Sequence, residues 1–392
     1  MQPINIKHTD EAAYAELTGC IDSSNAMQIQ EELLTRLHNV TMPIILDMQT
    51  LNYISSAGLR VLLKLRKAHT DTKIINVNPD VYEILDMTGF TQIMPISRAY
   101  RVISLDGCEE IGRGANGIVY RAGSDIVVKA YRNADALSVI QHEREVAKLA
   151  LILGIPTAIS YDVVRIGDTY GSVFELLNAR SFAKILDNEP ERFDWCVKEF
   201  TDLLHLIHAT EVPEGALPDM RETAIGWVEF LADYLPEKAF FKLLELIRVI
   251  PKDNHMIHGD YHAKNVQLQN DEVLLIDMDT LAVGHPIFEF ASMYNAFLGF
   301  NELRHEHSRE FMGIDYDVSF RFWKATLAAY LHTYSADTVQ AVEDKARVIG
   351  YTRLIRRSIR RHGLETAKGR AEIDHWKKEL CDLLEKTDTL LF

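Results

Sequence analysis

The stretch Met256 to Val266, MIHGDYHAKNV, constrains this chain more than any other. Asp260 and Asn265 stand five positions apart, and a short apolar hairpin follows: Val266-Gln267-Leu268, a turn at Asn270-Asp271, then Val273 to Ile276. The hairpin delivers Asp277 at a strand end. Asp279, two residues on, points to the same side of an extended chain, where it would share a metal or stand just behind one. Carboxylate and amide oxygens gathered this way repel one another unless a cation bridges them, and Mg²⁺ carried by a nucleotide meets that need. An Asp/Asn-rich turn would account for any one of these residues, but not for the ordered set.

Upstream, Gly112-Arg113-Gly114-Ala115-Asn116-Gly117-Ile118-Val119 is a glycine-rich loop. Alone it says little, because dinucleotide-binding units share the spacing. In those units the last glycine opens a helix. Here Ile118-Val119-Tyr120 continues as strand, turns at Gly123 and returns as Asp125 to Lys129. A flap of this kind, with a lysine on the next strand, covers phosphates and supplies a cation. Lys129 alternates out of an apolar strand, so its ammonium needs a counter-charge. The helix from Ser138 to Leu153 offers Glu143 and Glu145. Glu145, on the helix edge beside Val146 and Leu149, is the expected partner.

Together, HGDYHAKNV and LLIDMD resemble the aminoglycoside/choline-kinase-like phosphotransferases, a small-molecule branch of the protein-kinase-like fold. The resemblance covers about 101 to 392. It implies that Asp260 is the catalytic base and that Asn265 and Asp277 hold Mg²⁺. It also implies that Gly112, Gly114, Gly117 and Lys129 bind the phosphates of ATP or GTP, with Glu145 orienting Lys129. Phe174-Glu175-Leu176-Leu177 would be the hinge that contacts the base. Glu289 stands where such proteins commonly have Asp, and Met278 where they have an aromatic or Cys. No A-P-E motif follows Asp277, which argues against a eukaryotic-type protein kinase.

The first hundred residues alternate short strands with helices, an α/β pattern. Pro43 to Met48 reads as a buried strand. Helices are expected at Ser24 to Leu37, capped by Ser23 or Ser24, and at Ala57 to Ala68. LNYISSAGLRVLL, preceded by PIILDM and followed by VYEILDMTGF, resembles the STAS domains of anti-sigma factor antagonists. In that family the serine two residues before the glycine is a phosphorylated switch, which here is Ser56. Members often carry Asp where this chain has Ser55. Gly58 is expected to keep the surface low so that a partner can approach, and a phosphate on Ser56 would add nearly two negative charges at a helix N-terminus that tolerates anions.

The expected architecture is therefore α/β followed by α+β. A STAS domain at 1–100 precedes a β-rich lobe at 101–178 and a helical lobe at 179–392. The expected activity is ATP- and Mg²⁺-dependent phosphoryl transfer to a small-molecule hydroxyl. The alternative acceptor is a protein serine in a partner-switching pathway, Ser56 itself included. A pseudokinase scaffold is disfavoured because every catalytic position is filled.

Net charge of −15 argues against a nucleic-acid partner. Cys20, Cys108, Cys196 and Cys381 are scattered, suiting neither a disulfide framework nor a zinc site. Neither a signal peptide nor a membrane span is credible, and a cytoplasmic location is expected. His305-Glu306-His307 reads as a solvated helix end. Two charged patches disagree about the acceptor. The basic helix Arg353 to Arg361 suits an anion, whereas Glu302, Glu306, Glu310, Asp315 and Asp317 suit an amine. The sequence leaves the acceptor's identity, the choice between ATP and GTP, and the oligomeric state open.

Overall fold

The computed structural model describes residues 4–9, 11–113, 117–133, 136–176 and 179–392. The chain divides into two compact units, Met1–Leu105 with Val163–Tyr170, and Asp106–Asp162 with Gly171–Phe392.

In chain order the first unit contains β1 (Ile4–His8), β2 (Ala13–Leu17), β3 (Gly19–Ile21), α1 (Ala26–Leu37), β4 (Ile44–Asp47) and β5 (Leu51–Ile54). It continues with α2 (Ser56–Ala68), β6 (Thr72–Val77), α3 (Pro79–Met87), α4 (Phe90–Ile93), β7 (Ile96–Arg98) and β8 (Arg101–Val102). Its main sheet runs β1-β2-β4-β6-β7. The β1–β2 pair is antiparallel and the other pairs are parallel. β4 is apolar on both faces because it is a central parallel strand, and Ile44, Ile45 and Leu46 are buried. Ile29 and Leu33 of α1, Leu62 and Leu65 of α2, and Val81 and Leu85 of α3 join its core.

α1 starts at Ala26, two residues later than expected, and neither Ser23 nor Ser24 caps it. Asp22 organises that turn instead, its Oδ1 accepting the Ser24 N–H at 2.8 Å. At α2 the cap is Ser55, whose Oγ accepts the N–H groups of Ala57 and Gly58. Ser56 is then the first helical residue and is exposed. Gly58 does not lower an open surface. It is buried, and a Cβ there would lie 2.6 Å from Ile54 and 2.8 Å from Ile21. The glycine is required by core packing.

The second unit opens with β9 (Glu109–Arg113), β10 (Gly117–Arg121), β11 (Ile126–Tyr131) and α5 (Leu137–Ile152). The chain then gives β12 (Asp162–Ile166) to the first unit, where it pairs with β8, and β13 (Thr169–Glu175) returns to the second from Gly171 on. Strands β9, β10, β11 and β13 pair antiparallel in the order β13-β11-β10-β9. The rest is mostly helical: β14 (Arg180–Ser181), α6 (Phe182–Asn188), α7 (Phe193–Ala209), α8 (Met220–Phe230) and α9 (Glu237–Arg248). Then come β15 (Met256–Ile257), β16 (Val266–Gln269), β17 (Glu272–Leu275), β18 (Ala282–Val283) and α10 (Ile287–Phe297). α11 (Glu306–Phe311), α12 (Tyr316–Tyr330), α13 (Ala336–Arg360) and α14 (Ala367–Leu384) complete the chain.

α10, reading IFEFASMYNAF, is buried at every position, its polar Glu289, Ser292 and Asn295 included. It packs against α13, and the helical core forms around this pair. The β16–β17 hairpin turns through Asn270 and Asp271, both at positive φ, a conformation these short polar residues tolerate. Among the described residues no helix is long and apolar enough to cross a membrane.

Candidate active site

The 259–265 loop is held by an uncommon anchor. Gly259 sits at φ +78°, and a Cβ there would meet the Thr280 carbonyl oxygen at 2.6 Å, so only glycine fits. Glu289 of α10 is fully buried and accepts the backbone N–H groups of His258, Gly259 (3.0 Å) and Tyr261 (3.4 Å). Burial pushes its carboxyl up to about 7, against the pull of those donors. Thr280 Oγ1 donates to the His258 carbonyl at 2.7 Å, and Tyr261 OH donates to the Phe200 carbonyl at 2.7 Å. From α13, Arg353 Nη1 donates to the Gly259 carbonyl and to Ser292 Oγ, each at 2.8 Å. The loop is therefore fixed from α7, α10, α13 and the turn at Thr280 at once.

On this frame the Asp260 side chain stays 40% exposed, with Oδ2 3.6 Å from His262 Nε2. Burial would raise its pKa, but His262, Arg353 and His258 outweigh that and hold the carboxyl well below its usual range. Asn265 Nδ2 donates to the Asp260 carbonyl at 3.0 Å, which leaves its Oδ1 as an acceptor. The Ile276 N–H bonds the Asn265 carbonyl at 2.9 Å, tying the β17 end to the same loop.

Asp277 follows at φ +66°, an uncommon conformation for a non-glycine residue. Its Oδ1 lies 3.6 Å from Lys129 Nζ. Lys129, on β11, also donates to both carboxylate oxygens of Glu143 at 3.1 Å. Burial acts to lower the ammonium's pKa, but Asp277 and Glu143 more than offset it and hold the ammonium above its usual value. Asp279 follows on a 3-10 turn, Met278–Thr280, and not on the extended chain expected, because Asp277 adopts a left-handed conformation. Its carboxyl is raised to about 7 by burial and by the neighbouring carboxylates of Asp277 and Glu143. These residues crowd negative charge around one lysine, the condition that a bound cation relieves.

Glu143, not Glu145, is thus the partner of Lys129. The buried stripe of α5 includes Ile140, Ala147 and Ala150, and Glu143 occupies the i+3 position of that stripe. Glu145 is exposed. A polar residue interrupting an apolar stripe was the signal available, and Tyr131 OH also donates to Glu143.

In the flap, Gly117 is demanded by packing, since a Cβ there would meet the Ala130 carbonyl oxygen at 2.3 Å. Gly112 meets only ordinary contacts, and Gly114 lies outside the described residues. Glu175 ends β13, paired with Ile126 and exposed, and Leu177 also lies outside the described residues. The His305–His307 segment carries no metal site. His305 stacks on Tyr316 at 3.7 Å, and His307 Nδ1 contacts the Phe300 carbonyl at 3.1 Å. Among the described residues no group of three His, Cys, Asp or Glu side chains is arranged to hold a metal. A cation at Asn265 and Asp277 would therefore take its other ligands from phosphates and water, as Mg²⁺ commonly does.

Comparison with known proteins agrees with this architecture. Residues 3–102 match the STAS domain, and residues 107–341 match the phosphotransferase enzyme family. The Bordetella bronchiseptica protein BtrV, whose name assigns it as an anti-sigma factor antagonist, is 34% identical over 94 residues, covering 23% of this chain and 81% of that protein. Among solved structures, a thermostable mutant of aminoglycoside phosphotransferase APH(4)-Ia in its apo form matches with a TM-score of 0.50 at 11% identity, over 71% of this chain and 94% of that one. The same enzyme in a ternary complex with ADP and hygromycin B also gives 0.50, at 10% identity, over 78% and 98%. At such identities the likeness is one of fold. The chain belongs to the phosphotransferase enzyme family, with a STAS domain at its N-terminal end.

Proposed function

We propose that the second unit is an ATP- and Mg²⁺-dependent phosphotransferase that moves the γ-phosphoryl group to a hydroxyl of a small molecule, regulated by the STAS domain. The carrying observation is the joint placement of Lys129, Glu143 and Asp277 beside a loop that presents Asp260 and Asn265. In this reading the Asp260 carboxylate, ionised across the physiological range, accepts the hydrogen bond of the attacking hydroxyl and then its proton. Lys129, fixed by Glu143, pairs nucleotide phosphates. Asn265 and Asp277 hold the metal, with Asp279 behind them. Gly112, Gly114 and Gly117 let the flap approach the phosphates closely, and Glu175 marks the strand end where the base would lie. Bound Mg²⁺ supplies neutralisation of charge between the β- and γ-phosphates.

A second reading has one observation in its favour. The N-terminal match to an anti-sigma antagonist, with Ser56 exposed on the first turn of α2, makes a protein serine an alternative acceptor. One experiment separates the two. The full chain is incubated with γ-labelled ATP, Mg²⁺ and a metabolite panel, alongside Asp260→Asn and Ser56→Ala. Metabolite-dependent label transfer that falls by about a thousandfold or more in Asp260→Asn supports the first reading. Label on the protein that disappears in both variants moves the assignment to the second. ATP turnover equal in Asp260→Asn and the parent overturns both.

A further inference from the structure

Two charged patches compete for the acceptor, and the structure separates them by how each is paired. Of the acidic set, Glu302 is taken by His375 Nε2 at 2.6 Å and by Tyr351 OH at 2.7 Å. Glu310 is taken by Arg304 at 2.7 Å, and Asp315 by Arg309 at 2.7 Å. Three of its five carboxylates are thus engaged within the fold, while Glu306 and Asp317 are exposed without an ion pair among the described residues.

In the basic set no residue is held by a carboxylate among the described residues, and only Arg353 is tied down, by the Gly259 carbonyl and Ser292 Oγ. Arg353, Arg356, Arg357 and Arg360 lie at i, i+3, i+4 and i+7 on α13, with Arg361 beside them. Like charges at that spacing repel, yet none of the five forms an ion pair with a described carboxylate. The partly buried Arg356 has its Nε shielded from solvent with no hydrogen-bond partner. The guanidiniums lie over aromatic rings instead: Arg353 over Trp227 at 5.7 Å, Arg356 over Phe230 at 5.6 Å, and Arg357 over Phe300 at 4.7 Å. Stacking orients a guanidinium while leaving its N–H fork free for an anion. Burial, with Arg361 and Arg353 nearby, lowers Arg357 to about 10, and Asp260 offsets this only in part. The cluster reaches the Asp260 loop directly, through the Arg353–Gly259 bond. It comes from the helices, whereas Lys129 and Glu143 come from the sheet and α5.

We propose that this face of α13 binds the negatively charged group of the acceptor, so that the acceptor is a hydroxylated compound carrying a phosphate or a carboxylate and not an amine. The proposal rests on the phosphotransferase reading. In that reaction the acceptor oxygen bonds to Pγ as the bond from Pγ to the β–γ bridging oxygen breaks. ADP leaves with that electron pair, and the hydroxyl proton passes to Asp260. Two anions must meet for this to happen, and unpaired arginines beside the loop lower that repulsion.

The test uses the full chain and an Arg356→Gln/Arg357→Gln double variant, which leaves Arg353 on the loop. With Mg·AMP-PNP saturating the nucleotide site, inorganic phosphate is expected to raise the Tm of the parent and not of the variant. Sugar phosphates, hydroxycarboxylates, neutral sugars and amino sugars are then compared as acceptors. The two anionic classes distinguish phosphate from carboxylate. The best anionic acceptor should show a KM raised about 10–100-fold in the variant, with a smaller change in kcat. An equal Tm response in both proteins, no response in the parent, or transfer to amino sugars with unchanged KM would overturn the anion site. A phosphate response confined to the parent, with no ADP release for any acceptor, keeps the anion site and sinks the phosphotransferase reading instead.

Discussion

Glu143 and Glu145 stand two positions apart on α5, a rotation of about 200°, and that rotation decides which one meets Lys129. Glu143→Ala should raise KM for ATP and lower kcat/KM by about 10²–10³-fold, because Lys129 loses its bidentate partner. Glu145→Ala should leave both unchanged, and steady-state kinetics at varied ATP check the pair. Glu289 makes a different prediction, in pH. Burial raises its carboxyl from 4.5 to about 7, so between those values the folded chain keeps a proton that the unfolded chain has released. The stabilisation is complete below the unfolded value and is lost as pH rises through the folded one. Between about pH 5 and about pH 8 this group should cost about 2–3 kcal/mol of stability. Urea melts should show Glu289→Gln less stable overall, through mispaired loop donors, and less pH-dependent by roughly that amount.

At the level of elements, the N-terminus of α2 separates three neighbouring roles. Ser55 caps the helix, Ser56 offers an exposed hydroxyl, and Gly58 admits Ile21 and Ile54. Ser55→Ala should cost about 0.5–2 kcal/mol, and Gly58→Ala about 1–3 kcal/mol through overpacking. Ser56→Ala should be nearly silent in a thermal melt, so any functional loss it causes would report on the hydroxyl and not on folding. The Asp260 loop depends on more distant elements. α10 supplies Glu289 and α13 supplies Arg353, 30 and 94 positions from Gly259 in sequence. The HGDYHAKNV motif announces the loop without revealing what holds it, because a motif carries the groups that do chemistry and the anchors are chosen by packing.

At the scale of the whole chain, two units with separate cores imply separate responses to ligand. At about 100 times its Kd, Mg·AMP-PNP should stabilise the unit that binds it by about 2.7 kcal/mol. Hydrogen exchange should show that protection in β10, β11 and residues 259–265, and not in β4 or α2. An equal gain in both units would refute the assignment of the nucleotide site. The sequence alone determined the order of chemistry along the chain: a flap, a lysine strand, a D-x-x-x-x-N loop and a strand-end aspartate, preceded by a STAS pattern. Those features are local, since each depends on spacing within a few residues or on strand period. Tertiary structure alone decided that Glu143 takes Lys129, that Glu289 and Arg353 hold the loop, and that Gly58 serves the core. It also decided that the arginines of α13 lie over aromatic rings and not against carboxylates. Helix phase and long-range packing select partners far apart in sequence, and burial then sets whether a charge is satisfied within the fold or left for a ligand.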